Sequence, residues 1–132
     1  ITERRQMEQE LRDSVEYLHA VMDSADEAIF VHDAATGAII DVNKSMCRLW
    51  DYSYEEALTL SVADLSQKDD FHTQDEAMRL LRRAETDGPQ NVDWMARTKD
   101  GTLFSVSVSI RFLQTNGQAR CVVSARRVTP QH

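Results

Sequence analysis

The sequence predicts an α+β domain: a leading helix, then an antiparallel sheet interrupted by short helices. Three observations carry that prediction. Residues 2–23 hold no Gly or Pro and are rich in Glu, Gln, Arg and Leu, which favour helix. Two short apolar runs, Ala28–Val31 and Ala38–Val42, flank a turn-like Asp-Ala-Ala-Thr-Gly and end at Asn43. From Val92 onward the period changes to strict alternation, with Asp-Gly and Asn-Gly turns at Asp100-Gly101 and Asn116-Gly117.

In the leading helix Leu11, Val15, Leu18, Met22 and Ala25 recur at the spacing of a coiled-coil seam. Extended backwards, the seam reaches Glu8 and Arg4 and weakens. Two readings stay open, an amphipathic helix lying on its own domain and a dimerising helix that carries a signal. Ser24-Ala-Asp-Glu27 has capping-box spacing and predicts one short turn. Asn43 is placed to cap a helix from Lys44 to Trp50, and Ser53-Tyr-Glu-Glu56 to open another through Leu58 or Leu60. A helical turn is expected at Val62–Leu65. Thr73-Gln-Asp-Glu76 is a third box, opening a helix whose apolar face is Ala77, Met78, Leu80, Leu81 and Ala84 and which stops at Asp87-Gly88-Pro89. The closing strands then place Phe104, Val106, Val108, Ile110 and Phe112 on one face, with the returning strand at Ala119–Val128.

Composition narrows the function. At 132 residues the chain suits one domain. No apolar run approaches the ~20 residues that span a bilayer. The first residue is Ile, so a segment of a longer protein is expected. Residues 1–88 carry 20 acidic and 9 basic side chains, residues 89–132 only 2 and 6. Six basic residues spread along alternating strands make a solvated sheet face, not the dense basic surface that phosphates require. Neither nucleic acid nor membrane is expected as a partner. Cys47 and Cys121 lie in apolar neighbourhoods without metal-ligand spacing, as reduced thiols in a cytoplasmic protein would. No phosphate loop, zinc-protease motif or nucleophile elbow occurs, so no enzyme is expected.

The ordered set Ala28-Ile-Phe-Val-His-Asp33, Thr36-Gly37, Ile40-Asp-Val-Asn43, Tyr52-Ser-Tyr-Glu-Glu56 and Arg97-Thr-Lys-Asp-Gly101 resembles a PAS domain, in register from about Ser24 to Thr129. The resemblance implies a five-stranded antiparallel sheet with short helices over one face. It divides the chain into a helix at 1–23, a PAS domain at 24–129, and the start of an outgoing linker at 130–132. It further implies a sensory and dimerisation module working with an output domain in the same parent chain, of histidine kinase or diguanylate cyclase type, in two-component signalling. The homodimer would pair through Leu11, Val15, Leu18 and Met22 and the outer sheet face.

This chain departs from the family pattern in three places. Asp51 replaces the usual Gly before Tyr52, and a short polar residue tolerates the left-handed turn. Arg127-Val128-Thr129 replaces the closing Asp-Ile-Thr, which puts coupling to an outgoing helix in question, although Thr129-Pro130 keeps a helix-start signal. Cys47-Arg48-Leu49 only partly echoes the flavin-binding box, so adduct formation at Cys47 is not expected.

By the family's layout a pocket would be walled by Met46, Cys47, Trp50, Trp94, Phe104, Val106 and Val108. The size of these side chains favours a filled apolar core over an open pocket. No cofactor is expected. The alternative is a small-molecule or haem receptor, in which His72 is the tempting iron ligand. However, His72 precedes the Thr73 cap among acidic residues, where a solvated surface role is the plainer one. His32 alternates with Val31 and reads as a packed strand histidine.

Overall fold

A computed structural model of the chain describes residues 2–128. Helix α1 (Thr2–Ser24) leads into strands β1 (Ala28–Asp33) and β2 (Ile39–Val42). Helices α2 (Lys44–Trp50) and α3 (Tyr54–Ala57), a 3-10 turn at Ala63–Leu65, and helix α4 (Gln74–Asp87) follow. Strands β3 (Gln90–Arg97), β4 (Leu103–Thr115) and β5 (Gln118–Arg127) close the domain. The sheet is antiparallel throughout, in the order β2-β1-β5-β4-β3. The five-stranded α+β architecture expected from the sequence is therefore the one observed. The outgoing-helix signal at Thr129-Pro130 lies outside the described residues.

Burial explains why the strands alternate as they do. In β1 the residues Ala28, Phe30 and His32 are buried while Ile29, Val31 and Asp33 are half-buried, so one face meets the helices. On β4 and β5 the inner face continues through Phe104, Val106, Ile110, Cys121, Val123 and Ala125. The turn between β4 and β5 takes positive φ at Asn116 (51°) and Gly117 (77°), as a two-residue hairpin requires. Asp51 does adopt the left-handed conformation, with φ 66°, and its amide bonds the Cys47 carbonyl.

Asn43 ties three elements into one corner. It is 1% exposed, and every hydrogen-bonding position of its amide is filled. Its Oδ1 accepts from the Met46 amide at 3.0 Å, capping α2, and from the Ile29 amide at 2.9 Å. Its Nδ2 donates to the carbonyls of Met22 at 2.7 Å and Glu27 at 2.9 Å. The end of α1, the start of β1 and the start of α2 thus share one side chain.

Two of the expected capping boxes change form. At Ser24 no forward cap forms: its hydroxyl donates back to the Val21 carbonyl, and the chain bends through Asp26-Glu27 into β1. Thr73 caps α4 through the Glu76 amide, but Glu76 turns its carboxylate to Arg79 at 2.6 Å instead of reaching back. The Ser53 box forms in full. There Glu56 also meets Lys99 at 2.6 Å. The hydrogen bonds from Lys99 and the Ser53 amide hold its carboxyl down at about 2.

Candidate functional site

The sheet's inner face, α4 and the loop after α3 line a partly open cavity of about 70 Å³. Two tryptophans set the loop in place. Trp50, the last residue of α2, donates its indole N–H to the Leu65 carbonyl at 2.9 Å. Trp94 on β3 donates to the Ser66 hydroxyl at 2.7 Å. An isolated bridge between Ser66 and Ala96 and a bond from the Gln67 amide to the Met95 carbonyl complete the seam. Each indole has an apolar body for the core and one donor for a backbone or hydroxyl oxygen, which is why tryptophan serves at this border.

Of the residues expected at a pocket wall, Trp50, Trp94, Val106 and Val108 border the cavity. Met46, Cys47 and Phe104 do not. Met46 is fully buried in the core, one helical turn before Trp50, where α2 packs on β1. Phe104 packs edge-on against the Trp50 ring, with centroids 5.1 Å apart, and only Trp50 of the two borders the open space. Cys47 is half-buried, and burial pushes its thiol pKa up, as it does for Cys121. Neither cysteine has the lowered pKa of a reactive thiol.

The wall also includes side chains that the sequence did not single out for it: Phe30 and His32 from β1, Ser66 from the loop, and Ala77, Leu80 and Leu81 from α4. Only the alternation along β1 pointed to His32. The residue is 2% exposed, and its ring stacks on Phe30 with centroids 5.9 Å apart and places Nδ1 3.1 Å from the Gly37 carbonyl. Burial pushes its pKa below the ordinary histidine value, against an opposing pull from the Gly37 hydrogen bond.

His72 stays outside this wall. Its Nδ1 lies 2.8 Å from Asp69 and its ring packs edge-on to Trp94 at 4.7 Å. A porphyrin does not fit a cavity of about 70 Å³, and His72 is not among the residues that line it. Among the described residues no group of three or more His, Cys, Asp or Glu side chains could hold a metal ion.

The residues expected to pair α1 divide. Leu11, Leu18 and Val15 are exposed, at 67%, 59% and 44%. Met22 is half-buried at the domain corner. Met7 and Val21 lengthen the exposed stripe. A strict heptad traced back from Leu11 lands on Glu8 and passes over Met7, although Met7 sits one turn before Leu11 on the same face. Near its end α1 is strapped to the domain. His19 Nε2 lies 3.0 Å from Asp41, which also accepts from the Tyr54 hydroxyl at 2.8 Å. That bond raises the Tyr54 pKa to about 12.

A one-faced antiparallel sheet under a lid of helices, with a small cavity between, defines a compact α+β sensor-type fold. The PAS domain profile matches residues 26–129, and the chain belongs to the PAS domain family. No curated protein matches the chain. Three solved structures illustrate its likenesses. One is the PAS domain of an HTR-like protein from Haloarcula marismortui, at 22% identity and TM-score 0.78, covering 94% of this chain and 99% of that one. A second is a domain of a sensory box sensor histidine kinase/response regulator from Geobacter sulfurreducens, at 26% identity and TM-score 0.69, covering 88% and 96%. The third is a PAS domain of a LuxR-family transcriptional regulator from Burkholderia thailandensis, solved in complex with ethanol. It stands at 17% identity and TM-score 0.67, covering 83% and 95%.

Proposed function

We propose that this PAS domain is a sensory and dimerisation module that pairs through α1 and relays a signal to an output domain of the same parent chain. A histidine kinase or diguanylate cyclase output fits, and the module performs no reaction of its own. It works in the cytoplasm, and no described helix is long and apolar enough to cross a membrane. The observation that carries this reading is the exposed stripe of Met7, Leu11, Val15, Leu18 and Val21 along one face of a helix rich in charged and polar residues. Burying each large apolar side chain is worth roughly 1.5–3 kcal/mol. A second copy presents the same stripe at the same spacing, so two helices satisfy each other. Concentration-dependent dimerisation is expected by sedimentation, with Leu18→Glu abolishing it while the helical signal in circular dichroism is kept. A wild-type chain that stays monomeric at every concentration with its helix intact would sink the pairing.

The cavity favours a second, compatible reading, a receptor for a small molecule. Denatured protein should then release a discrete compound detectable by mass spectrometry. A visible absorption band would instead indicate haem, which the size of the cavity argues against. Repeated preparations that yield an empty extract and take up no added small molecule would remove the receptor role.

A further inference from the structure

Among the described side chains lining the cavity, one polar atom makes no hydrogen bond at all, and it can only accept. His32 Nδ1 lies 3.1 Å from the Gly37 carbonyl oxygen. A carbonyl cannot donate, so Nδ1 carries the ring proton, and in the neutral imidazole Nε2 is a bare acceptor. Burial keeps the ring neutral. Nε2 makes no hydrogen bond among the described residues. Every side-chain nitrogen or oxygen sealed by protein has a partner among the described residues. Nε2 is therefore not sealed, and the open space beside this 2%-exposed residue is the cavity. The other polar side-chain atoms of the wall are engaged. Trp50 donates to Leu65, Trp94 to Ser66, and the Ser66 hydroxyl to the Val62 carbonyl at 2.6 Å.

The remaining wall is aliphatic and aromatic. An internal water generally needs about 2–4 polar partners, and these side chains offer it one. A purely apolar guest leaves Nε2 unpaired in an apolar interior, which is costly. A carboxylate finds no donor, and an ammonium would lose its hydration without a counter-ion.

We propose that the cavity binds a small, neutral, largely aliphatic molecule of about four heavy atoms that donates one hydrogen bond, from a hydroxyl or N–H, to Nε2 of His32. This rests on the receptor reading above and adds the chemical class of the ligand.

The test uses 2-propanol and acetone, which share a skeleton and differ in whether the oxygen can donate. Each is titrated into the full chain with ¹⁵N-labelled histidines, and the imidazole resonances are followed. 2-Propanol is expected to bind about tenfold or more tightly than acetone, moving Nε2 of His32 while His19 and His72 stay in place. Equal affinities, or binding that leaves His32 unmoved, overturn the donor assignment and leave the receptor reading standing. If neither compound binds, and xenon, which enters apolar cavities, does not bind either, both the assignment and the receptor reading fall.

Discussion

At the scale of the residue, two buried polar side chains decide how the corner and the cavity behave. Asn43 fills four hydrogen-bonding positions at once. Asn43→Ala leaves two amides and two carbonyls without their partner in a site water reaches poorly. Each such group costs about 1–3 kcal/mol, partly relieved by relaxation. A loss of about 3 kcal/mol in urea unfolding is expected. A loss below about 1 kcal/mol would show that the corner is held by packing instead. His32 acts through pH. The folded chain keeps it neutral where the unfolded chain already binds a proton, because burial lowers the folded pKa beneath 6.5. Its contribution to stability is therefore complete above pH 6.5 and shrinks as pH falls below that value, the unfolded state binding more protons. His32→Asn should flatten the decline of stability between pH 6.5 and 5, whatever it does to the absolute level. Parallel declines in both proteins would assign the acid sensitivity to other groups.

At the scale of the element, the sheet and the helix starts were the most legible parts of the sequence. A period of two along β4 forces Phe104, Val106 and Ile110 to one side, and Asn43, Ser53 and Thr73 announce helices chemically. The cavity wall was less legible for a physical reason. Large side chains suggest a filled core, but whether they fill it depends on the distance between sheet and α4, which no local pattern encodes. Trp50 and Trp94 spend much of their bulk on anchoring the loop through Leu65 and Ser66, and a small void remains behind them. Likewise Met46 and Trp50 share a short helix, yet only Trp50 reaches the open space. The β1–β2 turn offers an element-level test. Gly37 takes φ 76°, and a Cβ there would come within 2.2 Å of Met78 Sδ on α4. Gly37→Ala therefore strains the turn and pushes on the helix that roofs the cavity. A loss of about 2 kcal/mol in stability is expected, with the largest amide shifts in α4 and at His32. An unchanged midpoint of unfolding would mean that turn and helix separate freely.

At the scale of the whole molecule, the cavity sits where every layer meets: sheet below, α4 above, and the tryptophan-pinned loop at the side. On the same sheet, β1 starts at the corner where Asn43 holds the end of α1. A guest proposed to bind at His32 would press on the strand to which α1 is fastened, which gives the proposed relay a physical route. Empty volume in a core lowers stability, so filling it separates the two demands on the fold. Val106 is 1% exposed and borders the cavity. Val106→Ile adds one methylene to a strand position that suits β-branched residues. Because space is already present, the added group should gain transfer free energy of about 0.8 kcal/mol without the strain of overpacking. The variant is expected to unfold at higher temperature than the wild type and to lose uptake of 2-propanol, while α1 still pairs. If Val106→Ile instead lowers the unfolding temperature, the wall closes on itself in solution and the void is not available to a guest. If it stabilises the fold yet leaves uptake intact, the guest enters elsewhere and the route through β1 must be abandoned.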